Sequence, residues 1–589
     1  MDRRDDCPAP PQSERPEDLG FTRQPMVRWF DPGQLASTGI KALLGGTFGA
    51  YADKREIQAG VAPPRNHDYS NAKDLWLDYV ADLGDGWDST FSVASLLARA
   101  DLELRAGITT RRGRLLVLGG DQVYPTATRE QYQNRFAGPY QAALPCVAGE
   151  HPHVFAVPGN HDWYDGLTSF QRLFCQDRWI GGWKTQQARS YFAIKLPHGW
   201  WLWGVDFQLT ADIDWPQLEY FRSMAAQLAD GDRIILCTPE PSWVYSETKG
   251  SAAYQNLEYF ERKIIGTSRG RVALNLTGDL HHYCRYRCDG RQKITAGGGG
   301  AFLHATHRTP ETLDLPEGKG RALYKRVATY PGIARSWWLK FTVLRFPFKN
   351  PAFAALVGAF YLLFAWVLES ASQKGSGSLV TTISSLRPAL ANAGAVLSEF
   401  YRALAHSPGS VALGLVLVVG LIAFADLDTR APPIWGLIKR WGAGLAHGFL
   451  HLALFVLLTW QFAYWHIGVL GLAAGDARQV LLFSGEMLLL GGGLGAAATA
   501  IYLLLANLIL RLHDNEVFSS QGIADYKHFL RLHIEADGAL TIYPIKIERV
   551  CRAWHLESAA PPGAPWFSPR APLHGELIED PIPFPARAV

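Results

Sequence analysis

Four short polar motifs carry side chains that bind metal ions, and each of them follows an apolar run. The motifs occupy residues 82–84 (DLG), 120–124 (GDQVY), 160–162 (NHD) and 278–282 (GDLHH). Carboxylate, phenol, amide and imidazole groups suit hard to borderline metal ions. Each motif alone is also typical of an ordinary turn. Their repeated position after apolar runs instead favours one shared site for one or two metal ions.

The apolar runs before the motifs predict strands that must position these side chains. The runs are LWLDYVA, RLLVLG, VFAVPG and VALNLT, and stretches with the character of helices lie between them. Alternation of this kind is typical of an α/β protein. Ligand sites in α/β sheets collect at the carboxyl ends of the strands. We therefore expect the four motifs to meet at one edge of a sheet.

The order of the motifs resembles the calcineurin-like metallophosphoesterase superfamily over about residues 74–303. The most specific element is GNHD at residues 159–162. The DxG of the first motif and the GDxxY of the second are most similar to the purple acid phosphatase pattern. The resemblance implies a four-layer α/β/β/α sandwich and a two-metal hydrolase that cleaves phosphate esters with a metal-activated hydroxide.

The same resemblance assigns a role to each motif residue. It implies that four residues hold a first metal ion: Asp82, Asp121, Tyr124 and His281. Asp121 would bridge to a second ion, which Asn160 also binds. His161 would contact the phosphate or protonate the leaving oxygen, and Asp162 would orient its ring.

Two positions depart from the family pattern. The last motif has Asp279 where the family has a histidine, and Pro239 stands where another histidine is expected. Asp279 and Glu240 are candidates to complete the second site, which would then favour manganese, iron or magnesium over zinc. Alternatively, the second site is lost and Glu240 is a solvated loop acid. His282 alternates with His281 along the chain, which favours a structural role.

Glycines and aromatic residues flank these motifs. The four glycines of ITAGGGGAF, residues 294–302, permit close backbone approach and predict a tight loop beside the site rather than a nucleotide cradle. Trp163, Tyr164 and Trp243 fit a substrate pocket and a protein core equally well.

Four long apolar segments predict a helical membrane domain of about four spans. They cover residues 351–368, 411–425, 445–472 and 480–510, and the second is short unless residues 408–410 extend it. Basic residues before the first segment, between the second and third, and after the fourth place both termini and the large N-terminal domain in the cytoplasm. Gly491 and Gly495 predict close helix packing. Glu486 is either a functional acid or an interfacial or hydrogen-bonded one.

The remaining sequence predicts the domain boundaries. These are a disordered lead over 1–30, a metallophosphoesterase domain over 31–345, a membrane domain over 351–510, a β-hairpin over 511–556 and a proline-rich tail over 557–589. Asp537-Gly538 marks the hairpin turn, and an isolated hairpin is marginal in water, so it should dock on the first domain. The lead lacks the apolar stretch of a secretory signal. The seven cysteines show no zinc or disulfide pattern, which fits a reducing compartment.

These observations together predict a membrane-anchored metallophosphoesterase. A net charge of +3 without blocks of like charge indicates no nucleic-acid partner. The expected partners are membrane lipid and a phosphate monoester or diester, and the membrane domain suggests a lipid-linked substrate. The alternative is a membrane transport or signalling protein whose degenerate phosphoesterase domain binds metal without catalysis.

Overall fold

A computed structural model describes residues 7–48, 53–61, 63–104, 107–207, 213–318, 320–375, 377–426 and 432–587. The chain divides into two compact units. Unit 1 comprises Met1–Val27, Ser37–Trp337 and Gly522–Val589, and unit 2 comprises Arg28–Ala36 and Trp338–Gln521. Unit 1 is mixed α/β and unit 2 is helical.

The strands belong to unit 1. In chain order they are β1 His67–Asp68, β2 Leu75–Val80, β3 Asp101–Glu103, β4 Thr109–Arg111, β5 Leu115–Leu118, β6 His153–Ala156, β7 Trp179–Ile180, β8 Trp183–Thr185, β9 Phe192–Lys195, β10 Trp200–Gly204, β11 Arg233–Thr238, β12 Arg271–Thr277, β13 Tyr283–Cys288, β14 Arg291–Ala296, β15 Thr312–Glu317, β16 Gly320–Tyr330, β17 Lys527–Ile534, β18 Leu540–Ile547, β19 Trp554–Leu556, β20 Phe567–Pro569, β21 Glu576–Leu577 and β22 Ile582–Phe584.

Two large sheets form the framework of unit 1. One has the order β1-β9-β10-β11-β12-β14-β13-β16-β15, and the other runs β21-β18-β17-β2-β5-β6-β8-β7, with β22 beside β18. In the second sheet β2, β5 and β6 are mutually parallel. In the first, β11, β12 and β14 are parallel. Leu115–Leu118 is buried throughout, as expected of a strand covered on both faces. The parallel pairing brings the predicted motif strands to common carboxyl edges.

The hairpin after the long apolar helices belongs to the same sheet as the first motif strand. β17 pairs with β18 through the Asp537-Gly538 turn, where Gly538 has a φ of +87° that favours glycine. β17 also pairs with β2 in antiparallel register. Arg531 forms a buried ion pair with Asp78 across these two strands, with 2.8 Å between nitrogen and oxygen. Removing either partner would leave an uncompensated buried charge.

The lead and the tail are more ordered than the sequence predicts. Phe21 is 3% exposed and stacks on Trp87 at 5.6 Å. In the tail, Phe584 lies on the edge strand β22, and the Glu579 carboxylate accepts hydrogen bonds from Arg285. The lead was predicted to be disordered, whereas the tail was predicted only to be proline-rich. Aromatic side chains in both segments are buried in unit 1.

One cysteine pair was also not predicted. The sulfurs of Cys7 and Cys146 form a disulfide that spans 139 residues of sequence. Spacing alone cannot identify such a pair, because the two positions meet only after folding.

The helices, in chain order, are α1 Pro16–Leu19, α2 Pro32–Phe48, α3 Lys54–Val61, α4 Trp87–Leu97, α5 Arg129–Gln131, α6 Gly138–Ala143, α7 Asn160–Trp163, α8 Thr168–Phe174, α9 Trp215–Ala225, α10 Ser242–Thr248, α11 Gln255–Phe260, α12 Ile333–Leu339, α13 Phe346–Lys349, α14 Pro351–Gly375, α15 Leu379–Ser384, α16 Leu390–Ala405, α17 Pro408–Phe424, α18 Pro433–Ala463, α19 Ala477–Glu486, α20 Gly492–Leu505 and α21 Asp514–Ser519.

Unit 2 contains helices that are long and apolar enough to cross a membrane. Within the described residues there are three, Pro351–Gln373, Ile434–Val469 and Ala477–Leu510. The second apolar segment forms α17, which has only 17 residues and meets α16 at a bend of 103°. Counted as one broken span, this pair raises the number to four.

Close packing between two of these helices depends on glycine. A β-carbon on Gly492 would lie 2.4 Å from the carbonyl oxygen of Ala354, and one on Gly495 would lie 2.4 Å from Val357. Small residues therefore let α14 approach α20. The tight contacts involve Gly492 and Gly495 rather than the predicted pair Gly491 and Gly495, since a β-carbon on Gly491 would lie 3.4 Å from Tyr361. Glu486 lies 3.1 Å from the Nε2 atom of His466, which favours a paired acid over an isolated one.

Candidate metal centre

Three of the predicted ligands surround the hydroxyl group of Tyr124. This hydroxyl lies 2.9 Å from Asp82 Oδ1, 3.1 Å from Asp121 Oδ2 and 2.9 Å from His281 Nε2. All four residues are at most 4% exposed. The residues that the resemblance assigned to a first metal ion thus form one buried cluster.

The backbone conformation of three aspartates determines the direction of their carboxylates. Asp82, Asp121 and Asp279 have φ values of 57°, 45° and 67°, in the left-handed region. Aspartate tolerates this region better than most residues, although it still costs energy. Asp82 N–H donates to Gly120 O at 3.0 Å, and Leu83 N–H donates to Asp121 O at 2.9 Å. These hydrogen bonds therefore hold the loops after β2 and β5 together at the point where both loops turn.

The imidazole of His281 is fixed by the loop opposite. Its Nδ1 atom lies 2.8 Å from the carbonyl oxygen of Phe302, so Nδ1–H donates there and Nε2 faces the cluster. Asp85 holds that loop by accepting hydrogen bonds from the N–H groups of Phe302 and Val27, at 3.1 and 2.6 Å. The ring of His304 stacks on His281 at 3.9 Å. Sequence reasoning missed Asp85 and His304, because neither lies in a recognised motif.

Asn160 and His161 begin helix α7 directly beside the cluster. The amide nitrogen of Asn160 donates to the Tyr164 hydroxyl at 3.0 Å. Its buried Oδ1 atom has no hydrogen-bond partner among the described residues. His161 N–H donates to Asp121 Oδ1 at 2.8 Å. A buried amide oxygen without a partner is costly unless something binds it, which fits a metal ligand.

The expected role of Asp162 is not the one that the structure gives it. The ring of His161 is held through Nδ1, which lies 2.7 Å from the carbonyl oxygen of Pro125. The carboxylate of Asp162 accepts hydrogen bonds from Gly159 N–H at 2.8 Å and from the Tyr132 hydroxyl. Asp162 therefore shapes the loop before α7, and a backbone carbonyl orients the histidine.

Asp279 lies within this cluster, where the family has an imidazole. Its N–H donates to Asp82 Oδ2 at 2.9 Å, and its carboxylate accepts a hydrogen bond from the Tyr245 hydroxyl. Tyr245 lies on α10, just after the segment where Pro239 replaces the expected histidine. No local motif signalled Tyr245, although its helix follows β11, a neighbour of the motif strand β12.

Glu240 and His282 are placed differently from the cluster members. Glu240 is half-buried and receives a weak hydrogen bond from Ser242 at 3.4 Å. His282 is 2% exposed, and neither ring nitrogen has a hydrogen-bond partner within the described chain. Burial lowers the pKa of His282 to about 3, so it is a neutral core histidine at pH 7.

The glycine-rich loop lies against the cluster, as the sequence predicted. Gly299 N–H donates to Ala81 O at 2.8 Å, and Ala301 N–H donates to Asp82 O at 3.0 Å. A β-carbon on Gly297 would lie 2.2 Å from Asp82 Oδ2. Such an approach is available only to glycine.

The flanking aromatic residues are mostly core. Trp243 is fully buried, and Trp163 is 3% exposed with its indole N–H donating to Asp206 at 3.2 Å. Tyr164 accepts a hydrogen bond from Asn160, and its ring lies 4.9 Å from that of His161. The sequence could not separate these alternatives, since tryptophan and tyrosine serve both purposes.

The electrostatics of the cluster favour a bound cation. Burial, followed by the charges of Asp121 and Asp279, raises the pKa of Asp82 well above its ordinary value. Burial and Asp279 raise the pKa of Asp121 to about 8. Burial lowers the pKa of His161 to about 4, and it lowers the pKa of His281 well below its ordinary value. Metal binding requires neutral imidazoles and ionised carboxylates. A bound cation would offset the burial and the mutual repulsion that raise the pKa values of these carboxyl groups.

Comparison with known proteins gives no family assignment. No family model matches the chain, and no curated protein matches it. One similar solved structure is "GAP50 the anchor in the inner membrane complex of Plasmodium", with a TM-score of 0.30, 13% identity and coverage of 43% of this chain and 78% of that chain. Another is "Structure of PhoD", with a TM-score of 0.27, 10% identity and coverage of 41% and 59%. Likenesses this distant carry no argument about function.

Proposed function

We propose that the protein is a membrane-anchored, metal-dependent phosphoesterase that hydrolyses a phosphate monoester or diester. The observation that carries the proposal is the buried cluster around the Tyr124 hydroxyl, with the unpartnered Oδ1 atom of Asn160 beside it. The order of the motifs, which resembles calcineurin-like metallophosphoesterases, supports the same reaction.

We propose metal positions from the donor set. Four residues would hold one ion: Asp82, Asp121, Tyr124 and His281. Asp121 and Asn160 would hold a second ion, and Asp279 is placed to complete it. Bound metal ions supply a hydroxide at neutral pH and offset the charge of the phosphate. Because oxygen donors dominate the second position, we propose manganese, iron or magnesium rather than zinc.

His161 is the proposed proton donor. The carbonyl oxygen of Pro125 accepts a hydrogen bond from Nδ1–H, and we assign proton donation to the Nε2 atom. The imidazole is neutral at pH 7 because burial lowers its pKa to about 4. An anionic phosphate beside the ring raises that pKa, since an opposite charge favours the imidazolium form. The protonated Nε2 then donates to the leaving oxygen.

The connectivity of unit 1 supports an even number of membrane crossings. β2 precedes the membrane segments and β17 follows them, yet the two strands pair in one sheet. Both ends of the membrane segment must therefore emerge on the same side of the membrane. Three helices qualify as spans individually, so we propose that the bent pair α16 and α17 supplies the fourth crossing. Basic residues favour the cytoplasm as the side that holds unit 1.

The proposed membrane anchor also favours a particular class of substrate. Unit 1 is continuous in sequence with the spans, so it acts close to the lipid surface. A lipid-linked or membrane-proximal phosphate ester is the substrate class that this arrangement favours, and the balanced charge of the chain gives no support for nucleic acid.

Hydrolysis of an aryl phosphate monoester and an aryl phosphate diester by the full chain tests the proposal. The protein would be purified in detergent and loaded with manganese or iron. We expect turnover that falls by 10²- to 10⁴-fold in His161→Ala. His198→Ala, a substitution in an exposed turn, is the matched control and should retain activity. The proposal would be overturned if the metal-loaded protein turned over neither ester and the His161→Ala substitution did not change that result.

A further inference from the structure

A second cluster of metal-binding side chains lies in unit 2, apart from the residues of the proposed phosphoesterase site. Asp426, His513 and Glu516 offer one imidazole nitrogen and two carboxylate oxygens within 4.8 Å of one another. Asp426 lies two residues after the end of α17, and the other two residues belong to the segment after the last span. The cluster therefore joins the ends of two membrane segments.

The imidazole of His513 is buried and aimed into this cluster. His513 is 0% exposed, and its Nδ1 atom lies 3.5 Å from Glu516 Oε2. Neither of these atoms has a hydrogen-bond partner among the residues that the structure describes. Two buried polar atoms that face each other without a hydrogen bond are costly, and a cation between them would satisfy both.

The surroundings fix the orientation of the ring. The other nitrogen, Nε2, lies 2.9 Å from the Tyr502 hydroxyl. Phe424 stacks on the imidazole at 4.9 Å. Metal-binding histidines typically use their second nitrogen for a hydrogen bond that sets the tautomer. Here Nε2–H would donate to Tyr502, which leaves the lone pair of Nδ1 for an ion.

The carboxylates are placed by the backbone. Asp426 accepts a hydrogen bond from the N–H group of His513 at 2.7 Å, which holds the segment after α17 against the segment that begins α21. Glu516 lies three positions after His513, on the same side of the first turn of α21. The donors come from two segments that are 87 residues apart, and a hydrogen bond between the two segments holds them together.

We propose that Asp426, His513 and Glu516 bind a divalent transition-metal ion that fastens the end of α17 to the segment after the last span. One imidazole and two carboxylates suit zinc or manganese better than calcium or magnesium, which prefer oxygen ligands alone. A neutral imidazole and two carboxylates also carry net negative charge, which an ion of charge +2 offsets.

Zinc content of the full chain in detergent tests this site. Wild-type protein and Glu516→Gln would be equilibrated with Zn²⁺, freed of unbound metal and analysed by mass spectrometry. We expect the wild type to hold one more zinc ion per chain than the variant, because metal bound in unit 1 is common to both and cancels. Asp514→Asn removes the same charge from the same helix outside the cluster, and it should match the wild type. Equal zinc in wild type and Glu516→Gln would overturn the proposal.

Tyr502→Phe provides a second measurement that removes no charge. It deletes the hydrogen bond to Nε2, so zinc affinity in a chelator competition should fall by about 10- to 100-fold. Elution as a single species shows that each variant is folded, and ester hydrolysis reports unit 1 independently. An unchanged zinc affinity in Tyr502→Phe would also contradict the site as described.

Discussion

The Tyr124 hydroxyl lies 2.9 Å from the Nε2 atom of His281, although the two residues are 157 positions apart in the sequence. The contact joins the loop after β5 to the loop after β12, which belong to different sheets. A phenol and an imidazole from opposite sheets thus meet at the centre of the proposed metal site. Removal of either side chain should weaken both the contact between the two sheets and the binding of the metal ion.

Tyr124→Phe tests the phenol as a metal ligand. The substitution keeps the ring and removes the oxygen that contacts Asp82, Asp121 and His281. We expect metal affinity to fall by at least 10-fold, because a direct donor is lost. Metal titration of the full chain measures this. Tyr164→Phe removes a hydroxyl that contacts Asn160 instead, and it should have the smaller effect.

Asp279→His tests whether this carboxylate sets the choice of metal. The substitution restores the imidazole of the family pattern and removes one negative charge. We expect zinc to support turnover better, relative to manganese, in the variant than in the wild type, since imidazole suits zinc and carboxylate suits manganese. The ratio of turnover with the two metals is the measurement. Tyr245→Phe, which deletes only the hydrogen bond to Asp279, serves as the control. An unchanged ratio would mean that Asp279 does not contact the metal.

The motif residues were predictable because each lies at the end of an apolar strand. Residues such as Asp82 and Asn160 are marked by a local pattern, and parallel pairing then brings the patterns together. Their supports were not predictable. Asp85 reaches Phe302 across 217 residues, and Tyr245 reaches Asp279 across 34. Hydrogen bonds of this range depend on tertiary packing, and no short motif records them.

The lead and the tail show that prediction of the fold from the sequence has the same limit. Proline-rich composition does not report whether a segment is buried. Phe21 packs because Trp87 is available to it, and Phe584 packs on an edge of the second sheet. A single sequence contains no signal for such partners, since the partner surface exists only after the rest of unit 1 has folded.

Gly297→Ala tests the close approach of the glycine-rich loop. The new β-carbon would lie 2.2 Å from Asp82 Oδ2, so the loop or the carboxylate must move. We expect a loss of about 1–3 kcal/mol of stability and reduced metal content. Thermal unfolding and metal analysis measure the two effects. A β-carbon on Gly332 meets nothing within 4 Å, so Gly332→Ala is the matched control and should behave as the wild type.

His528 should make the stability of the protein sensitive to acid. It is fully buried, its ring nitrogens have no hydrogen-bond partners in the part of the chain described, and burial lowers its pKa to about 3. Between pH 6.5 and 3 the unfolded chain therefore binds a proton that the folded chain does not. Above the unfolded pKa of about 6.5, His528 is neutral in both the folded and the unfolded chain, so it causes no loss of stability there. Stability falls as the pH drops through this window, by at most about 1.4 kcal/mol per pH unit.

His528→Leu should weaken that dependence. Thermal unfolding at about pH 7.5 and about pH 5 gives the comparison, and the difference between the two midpoints should be smaller in the variant than in the wild type. His555→Leu makes the same change at an exposed position and should leave the difference as it is. An undiminished difference in His528→Leu would show that other groups cause the acid sensitivity.

The proposed four crossings predict which loops a reagent can reach. With unit 1 in the cytoplasm, the links after the first and third spans face outward, and the link between α17 and α18 faces inward. We expect Ser385→Cys and Ala474→Cys to react with a membrane-impermeant maleimide in intact cells. Pro432→Cys should react only after permeabilisation, with the wild-type chain as the background for native cysteines. All three positions are exposed in the structure.

The pattern of labelling separates the number of crossings from their orientation. If Ser385 and Pro432 label on the same side, the bent pair α16 and α17 does not cross, and the pairing of β2 with β17 would then require one further span to be discounted. If all three positions exchange sides, the four crossings stand but unit 1 is outside. That second outcome would place the Cys7–Cys146 disulfide in an oxidising compartment, where such bonds persist. The basic residues favour the opposite orientation, in which unit 1 faces a reducing compartment. In that case the Cys7–Cys146 disulfide of the structure should be open in cells, and both thiols should be alkylated when they are trapped at lysis.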